Sequence, residues 1–272
     1  MRFKYLVLFV FLSIFVTSFS AAAQTKIRWN ALVEEDLVRF LLSNNMEEAQ
    51  MAAKELGKRK TQSSLDELLG QLLLGHPPRL AISILESAGS RKSPSAFKTF
   101  VYFTSHRNVN MRITALKALA DIDTRKDQKM LAEIDSMIIR ALRDMNSGVR
   151  DTAAFLIGKR RIRTAEGDLL KLFNSGSKAA IDALGYVGGI ITARTFLIAL
   201  DNKKISKEIL ISSLLTMLKR ADFGPEPVRI QIVKVLGALN LPGAQDALIK
   251  YHGTGPEKFG RSRRLAFKIL SR

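Results

Sequence analysis

Cysteine is absent from the 272-residue sequence. The protein can therefore hold neither a disulfide nor a thiolate metal site, and it cannot be a thiol enzyme. Histidine occurs three times, at His76, His106 and His252, and none has a second histidine or a carboxylate at the spacing of a metal-ligand pair. Aromatic residues make up 7% of the chain, with a single tryptophan. These absences exclude thiol chemistry and leave no sequence-encoded metal centre.

Recognisable catalytic motifs are missing as well. The glycine-rich stretch 185–189 is typical of a helix end, because no strand precedes it and no lysine opens a following helix. The chain has no G-x-S-x-G nucleophile motif. The densest carboxylate group, Glu34, Glu35 and Asp36, falls in the first turn of a predicted helix, where acids complement the helix dipole. We therefore predict a non-catalytic protein with no catalytic residues, no cofactor and no metal.

The N-terminal residues have the pattern of an export signal. Two basic residues precede an apolar run over residues 5–19, about 15 residues long, which is shorter than a membrane-spanning helix. Small residues follow at Ala21–Ala23, as a signal peptidase requires. We expect residues 1–23 to be a cleaved signal peptide and residues 24–272 to form one domain in the periplasm or outside the cell. An uncleaved N-terminal anchor is the alternative.

Positive charge dominates the chain. The formal net charge is +18, of which the predicted leader contributes two. Such an excess favours anionic partners, namely an acidic protein, a polyanionic envelope component or, through peripheral contact, an anionic membrane. The cations cluster after predicted helices, and the candidate partner-binding residues are Lys58, Arg59, Lys60, Arg160, Arg161 and Arg163. The alternative is that these cations complement the dipoles of the helix C-termini.

A repeated helical pattern is the strongest signal in the sequence. Segments 111–120, 149–158 and 228–237 each begin with an apolar residue and an arginine, continue with a small or aliphatic residue, and end on a small one. Weaker copies occur at 49–57, 177–185 and 263–271. Such segments form amphipathic helices whose small-residue stripe lets a neighbouring helix approach closely. Predicted partner helices lie between them, and segments 80–88 and 205–220 do not fit the scheme.

Residues Asp144 to Arg150, followed by Ala153 and Gly158, resemble the second half of a HEAT repeat. The resemblance implies an all-α, right-handed α-solenoid of about seven helix pairs, similar to the short bacterial type. It also implies that the Asp and Arg form a polar ladder joining successive repeats. The residues to which it assigns a structural role are Asp144, Arg150, Ala153, Gly158, Arg112 and Arg229.

The repeats depart from the HEAT pattern at the position of the ladder aspartate. His106 stands there before Arg112, and Phe223 stands there before Arg229. We therefore expect the ladder to be interrupted.

Three functional classes are compatible with these features. The leading hypothesis is an exported, non-catalytic scaffold that binds an acidic protein or an anionic envelope component. A nucleic-acid-binding HEAT-like protein is the second, but the export signal and the lack of aromatics among the basic clusters disfavour it. The third is a HEAT-like lyase, which a cleft combining a carboxylate, an aromatic ring and a tyrosine would favour.

Overall fold

The computed structural model describes residues 27–202, 205–239 and 241–271. These residues form fifteen α-helices and no β-strand. The predicted signal peptide and its cleavage site lie outside the described residues.

The helices follow one another with short connections. They are α1 Glu34–Leu41, α2 Met46–Lys58, α3 Gln62–Leu73, α4 Pro78–Ser90, α5 Phe97–Phe103, α6 Val109–Ala120, α7 Gln128–Ala141, α8 Ser147–Arg160, α9 Glu166–Asn174, α10 Lys178–Val187, α11 Ile190–Ala199, α12 Lys207–Lys219, α13 Glu226–Ala238, α14 Pro242–Thr254 and α15 Gly260–Leu270. Short 3₁₀ turns at Trp29–Ala31, Pro94–Ala96, Arg163–Ala165 and Glu257–Phe259 precede α1, α5, α9 and α15.

The helices form two layers. Each even-numbered helix from α2 to α14 packs against the next even-numbered helix, and the odd-numbered helices lie against this row. Seven helix pairs, α1/α2 to α13/α14, are thus stacked in chain order, and α15 closes the array against α13 and α14. The prediction of an all-α solenoid of about seven pairs is confirmed.

Small residues allow the even-numbered helices to pack closely. A Cβ added to Gly57 would lie 2.9 Å from the Cβ of Ser87, and one added to Gly89 would lie 2.9 Å from the Cβ of Ala118. Ala153 has no exposed surface. The apolar side chains on either side of this stripe fill the space between the two layers, forming a continuous core.

Side-chain caps start several helices of the even-numbered row. The side chains of Asn45, Asn108 and Asn146 accept hydrogen bonds from backbone N–H groups in the first turns of α2, α6 and α8. Ser177 and Ser206 do the same for α10 and α12. These caps satisfy donors that the helix itself leaves free, so they fix where each helix begins.

The layer assignment of three segments differs from the sequence scheme. Segments 228–237 and 263–271 were predicted to be motif helices, but they belong to α13 and α15, outside the even-numbered row. The predicted partner helix 244–251 lies in α14, inside that row. The two segments that did not fit the scheme, 80–88 and 205–220, correspond to α4 and α12, which also belong to the even-numbered row. The repeated apolar–Arg pattern indicates the geometry of the turn before a helix. That geometry does not determine which of the two layers the helix joins.

Candidate binding surfaces

One rung of the predicted polar ladder is present in the described residues. Arg112 in α6 donates to both carboxylate oxygens of Asp144, in the turn before α8, at 2.8 Å each. Arg150 donates to the carbonyl oxygens of Asp144 and Met145 at 2.8 and 2.9 Å. Burial would raise the pKa of Asp144, but hydrogen bonds from Arg112 and the Asn146 amide outweigh it and hold the pKa below its usual value. Both arginines thus stabilise turns between stacked helices.

Arg229 has the same kind of role at the C-terminal end. Its guanidinium is fully buried and donates to the carbonyl oxygens of Leu218, Arg220 and Phe223. It also lies 3.5 Å from the centre of the Phe259 ring. Desolvation lowers its pKa. Arg229 therefore holds the turn between α12 and α13 against the start of α15.

A second set of arginines connects consecutive helices of the even-numbered row, and the repeat pattern did not reveal it. Arg91, after α4, donates to the carbonyl oxygens of Arg59 and Thr61, which follow α2. Arg160, at the end of α8, donates to the carbonyl of Ala120 at the end of α6, at 2.6 Å. Arg220, after α12, donates to the carbonyl oxygens of Gly185 and Gly188 at the end of α10, at 3.2 and 2.8 Å. Each guanidinium donates to at least one carbonyl at or just after the end of the neighbouring helix, where the helix itself supplies no donor.

Three of the six predicted partner-binding cations have partners within the chain. Arg59 donates to the carbonyl oxygens of residues 30 and 32, and Arg160 also pairs with Asp135 at 2.8 Å. Arg163 pairs with Asp222. These three side chains are engaged within the chain because helix-end carbonyls and neighbouring carboxylates recruit them.

The other three predicted residues have exposed side chains. Lys58 forms an ion pair with Glu55 at 3.0 Å, and its side chain is 71% exposed. Lys60 and Arg161 are exposed and form no side-chain hydrogen bond or ion pair in the described structure. The structure therefore brings the six predicted cations to one edge but leaves two of them unpaired.

Unpaired cations recur along this edge of the solenoid. One exposed cation without a side-chain hydrogen bond or ion pair among the described residues lies at the end of, or within six residues after, each of α2, α4, α6, α8 and α12. They are Lys60, Lys92, Lys126, Arg161 and Lys219, and we call them the basic edge. Nearby carboxylates are engaged: Asp121 with Lys159, Asp123 with Arg125, and Asp222 with Arg163 and Arg220.

A groove between α8 and α10 opens on the outer face of the even-numbered row. Phe155 and Lys159 of α8 and Asp182 and Tyr186 of α10 form its walls, with Gly158 and two alanines between them, and its volume is about 350 Å³. Phe155 is 65% exposed and Tyr186 46% exposed. We call it the aromatic groove.

Asp182 is the unusual group in the aromatic groove. Its carboxylate has no hydrogen-bond or ion-pair partner in the described part of the chain, and desolvation by the groove raises its pKa. Lys159 is the other charged residue of the groove, and its ammonium group lies 3.0 Å from Asp121, towards α6. The groove thus combines a carboxylate, an aromatic ring and a tyrosine, the combination that would favour the lyase hypothesis, which stays an alternative.

The histidines and carboxylates form no further site in the described residues. His76 contacts Gln71 at 2.8 Å, His106 accepts from the Asn108 amide at 3.0 Å, and His252 lies against Arg263. None of the described residues form a group of three or more His, Asp or Glu side chains suited to a metal ion. None of the described helices has the length and apolar character needed to cross a bilayer.

No family model and no curated protein sequence matches the chain. Among solved structures, importin beta superposes with a TM-score of 0.56 over 87% of this chain, at 11% sequence identity. The chain has a HEAT-like repeat fold. This chain corresponds to only 40% of the length of the importin beta chain.

Another similar structure is the CpcE–CpcF complex of phycocyanin lyase from Nostoc sp. PCC7120. It has 14% identity and a TM-score of 0.46, with coverage of 91% of this chain and 97% of that one. A designed armadillo repeat protein covers 88% of this chain at 15% identity, with a TM-score of 0.33.

Proposed function

We propose that this HEAT-like protein is an exported, non-catalytic scaffold whose basic edge binds an acidic protein or an anionic envelope polymer. The observation that carries the proposal is the charge pattern of that edge. Unpaired cations recur along the stack, whereas nearby carboxylates already have cationic partners. An anionic partner would therefore meet uncompensated positive charge along this edge.

The regular stacking favours an extended partner. Packed helices lie roughly 8–10 Å apart, so cations at equivalent helix ends recur at a similar spacing along the solenoid. An exposed charge contact contributes only about 0–1 kcal/mol, and one such contact would give little affinity. Several contacts made together by a polymer or an acidic segment would give appreciable affinity, and salt would weaken it.

The basic edge can be tested by removing its charge without shortening its side chains. In the test variant, Lys60, Lys92, Lys126, Arg161 and Lys219 are all replaced by Gln. The matched control replaces four lysines and one arginine that are exposed elsewhere and form no side-chain hydrogen bond or ion pair among the described residues: Lys98, Lys129, Lys234, Lys250 and Arg194.

We expect the edge variant to elute from immobilised polyglutamate and dextran sulfate at clearly lower salt than the wild type. The control variant should stay close to the wild type, and circular dichroism should show the same helicity for all three. Equal losses in both variants would mean that net charge alone drives binding, which would refute the assignment to this edge.

The proposed export has a separate test. Mass spectrometry of the protein from its native cells should find Gln24, or its cyclised form pyroglutamate, at the N-terminus in the envelope or secreted fraction. Intact Met1 in the membrane fraction would instead indicate an anchor. Intact chain in the cytoplasm would favour the nucleic-acid-binding alternative.

A further inference from the structure

In the aromatic groove, Phe155 interrupts a series of charged residues that occupy one equivalent position along the even-numbered row. Near its C-terminal end, each of α2, α4, α6, α8 and α10 has a small residue, for example Gly57 in α2. Three positions before that small residue stand Lys54 in α2, Glu86 in α4 and Lys117 in α6. At the same position α8 has Phe155 and α10 has Asp182. The corresponding groove between α4 and α6 is lined by polar and charged groups and has a volume of about 230 Å³. A local change of side-chain chemistry thus distinguishes the groove between α8 and α10.

We propose that the aromatic groove binds an organic cation, a guanidinium or ammonium group, between Phe155 and Tyr186 and against the carboxylate of Asp182. Aromatic faces attract such cations, and a carboxylate supplies the counter-charge. This inference does not depend on the basic edge, which lies at the helix ends and carries the opposite charge.

The charges of the groove favour a cation over other ligands. Asp182 has no counter-ion in the described part of the chain, and Lys159 is directed to Asp121. An anion in the groove would be repelled by the unpaired carboxylate of Asp182. A neutral apolar ligand would desolvate that carboxylate further without giving it a partner, which costs free energy. A cation with an apolar or planar body satisfies the carboxylate and both rings together.

The Tyr186 ring is held in place by close packing against α8. A Cβ added to Gly158 would lie 3.3 Å from Cδ2 of Tyr186 and 3.3 Å from Cα of Ala183. The missing side chain at residue 158 therefore lets the ring lie directly against the neighbouring helix. One wall of the site is set before any ligand arrives, which lowers the entropic cost of binding.

Asp182 is an exposed residue, and the partial desolvation of its unpaired carboxylate opposes folding slightly at neutral pH. Burial raises the pKa of Asp182, so its ionised form is less favourable in the folded protein than in the unfolded chain. This penalty is absent below the ordinary pKa of aspartate and appears as the pH rises above it. Sites that sacrifice stability in this way are often binding sites.

The test uses the mature full-length protein and calorimetric titration with cationic ligands and a neutral ligand of nearly the same shape. The first probe is Nα-acetyl-arginine methylamide, and its neutral match is the citrulline analogue, in which an oxygen replaces one guanidinium nitrogen. Nα-acetyl-lysine methylamide and choline test whether the site takes a side chain of a protein or a small quaternary amine.

We expect the arginine probe to bind about tenfold or more tightly than the citrulline analogue, since one charge-assisted contact accounts for such a ratio. Asp182→Asn should remove this preference, and Phe155→Ala should weaken binding of the cation. Glu86→Gln is the matched control, because it removes an exposed carboxylate of the same helix row from a groove without aromatic walls. It should leave binding unchanged.

Thermal denaturation separates loss of binding from loss of folding. At neutral pH Asp182→Asn should melt at or above the wild-type temperature, and any increase in melting temperature should disappear in acid. Equal binding of arginine and citrulline probes, retained preference in Asp182→Asn, or absence of binding for every cationic probe at tens of millimolar would each overturn the proposal.

Discussion

Replacement of Arg229 by methionine should destabilise the C-terminal end of the solenoid more than the N-terminal end. The guanidinium is fully buried and serves three backbone carbonyls, two of them in the turn between α12 and α13. It also connects this turn to α15 through the ring of Phe259, 3.5 Å away. Methionine keeps much of the aliphatic volume but offers no donor.

The structure sets the size of the effect. A hydrogen bond to a charged group contributes about 1.5–3 kcal/mol, and each buried carbonyl left without a donor costs about 1–3 kcal/mol. Two features reduce the loss: the charge itself is desolvated, which lowers the pKa of Arg229, and its Nε has no partner among the described atoms. We therefore expect a loss of about 3 kcal/mol, towards the lower end of what three such hydrogen bonds would give.

Two probes distinguish a local loss from a global one. Circular dichroism during urea denaturation reports on all helices, whereas Trp29 is the single tryptophan and packs on Phe40 at the N-terminal end, with ring centres 5.1 Å apart. In a repeat array each unit contacts mainly its neighbours, so the damage should spread little towards Trp29. In Arg229→Met the helical signal should begin to fall at lower urea, while the Trp29 transition moves less.

The control is Lys234→Met, an exposed change in the same helix, which should alter stability by no more than about 0.5 kcal/mol. An unchanged helical transition in Arg229→Met would refute the role given to its hydrogen bonds. Identical large shifts in both probes would keep that role but show that the array unfolds as one cooperative unit.

Two further predictions concern the repeat contacts. Asp144→Asn should cost roughly 1–2 kcal/mol at neutral pH, because it weakens the pair with Arg112. The pKa of Asp144 is lowered in the folded state, so its contribution to the free energy of unfolding is complete above about pH 4 and is lost as the pH falls through the folded pKa. Urea titrations at decreasing pH should therefore show the stabilities of the wild type and Asp144→Asn converging. A difference that stays constant with pH would contradict this. Ala153→Glu should cost several kcal/mol, because residue 153 is fully buried between helices, and a variant melting at the wild-type temperature would show that this contact is misassigned.

The sequence alone determined the helices, the repeats and the number of pairs. These depend on local features: apolar residues three and four apart, polar caps such as Asn146, and small residues at the ends of motif helices. It also located the clusters of cations, since these follow the helices directly. A periodic local signal is enough for such features because every repeat meets the same environment in its neighbours.

Tertiary structure alone decided which layer α12 and α13 join and which cations remain free. Arg229 carries the motif pattern because its turn needs a donor for buried carbonyls, and the same need arises in either layer. Arg160 is engaged because Asp135 and the end of α6 lie beside it, and neither is close in sequence. The aromatic groove likewise arises when stacking brings Phe155 next to Asp182 and Tyr186, about thirty residues later. Contacts between repeats set these properties, and no local pattern encodes them.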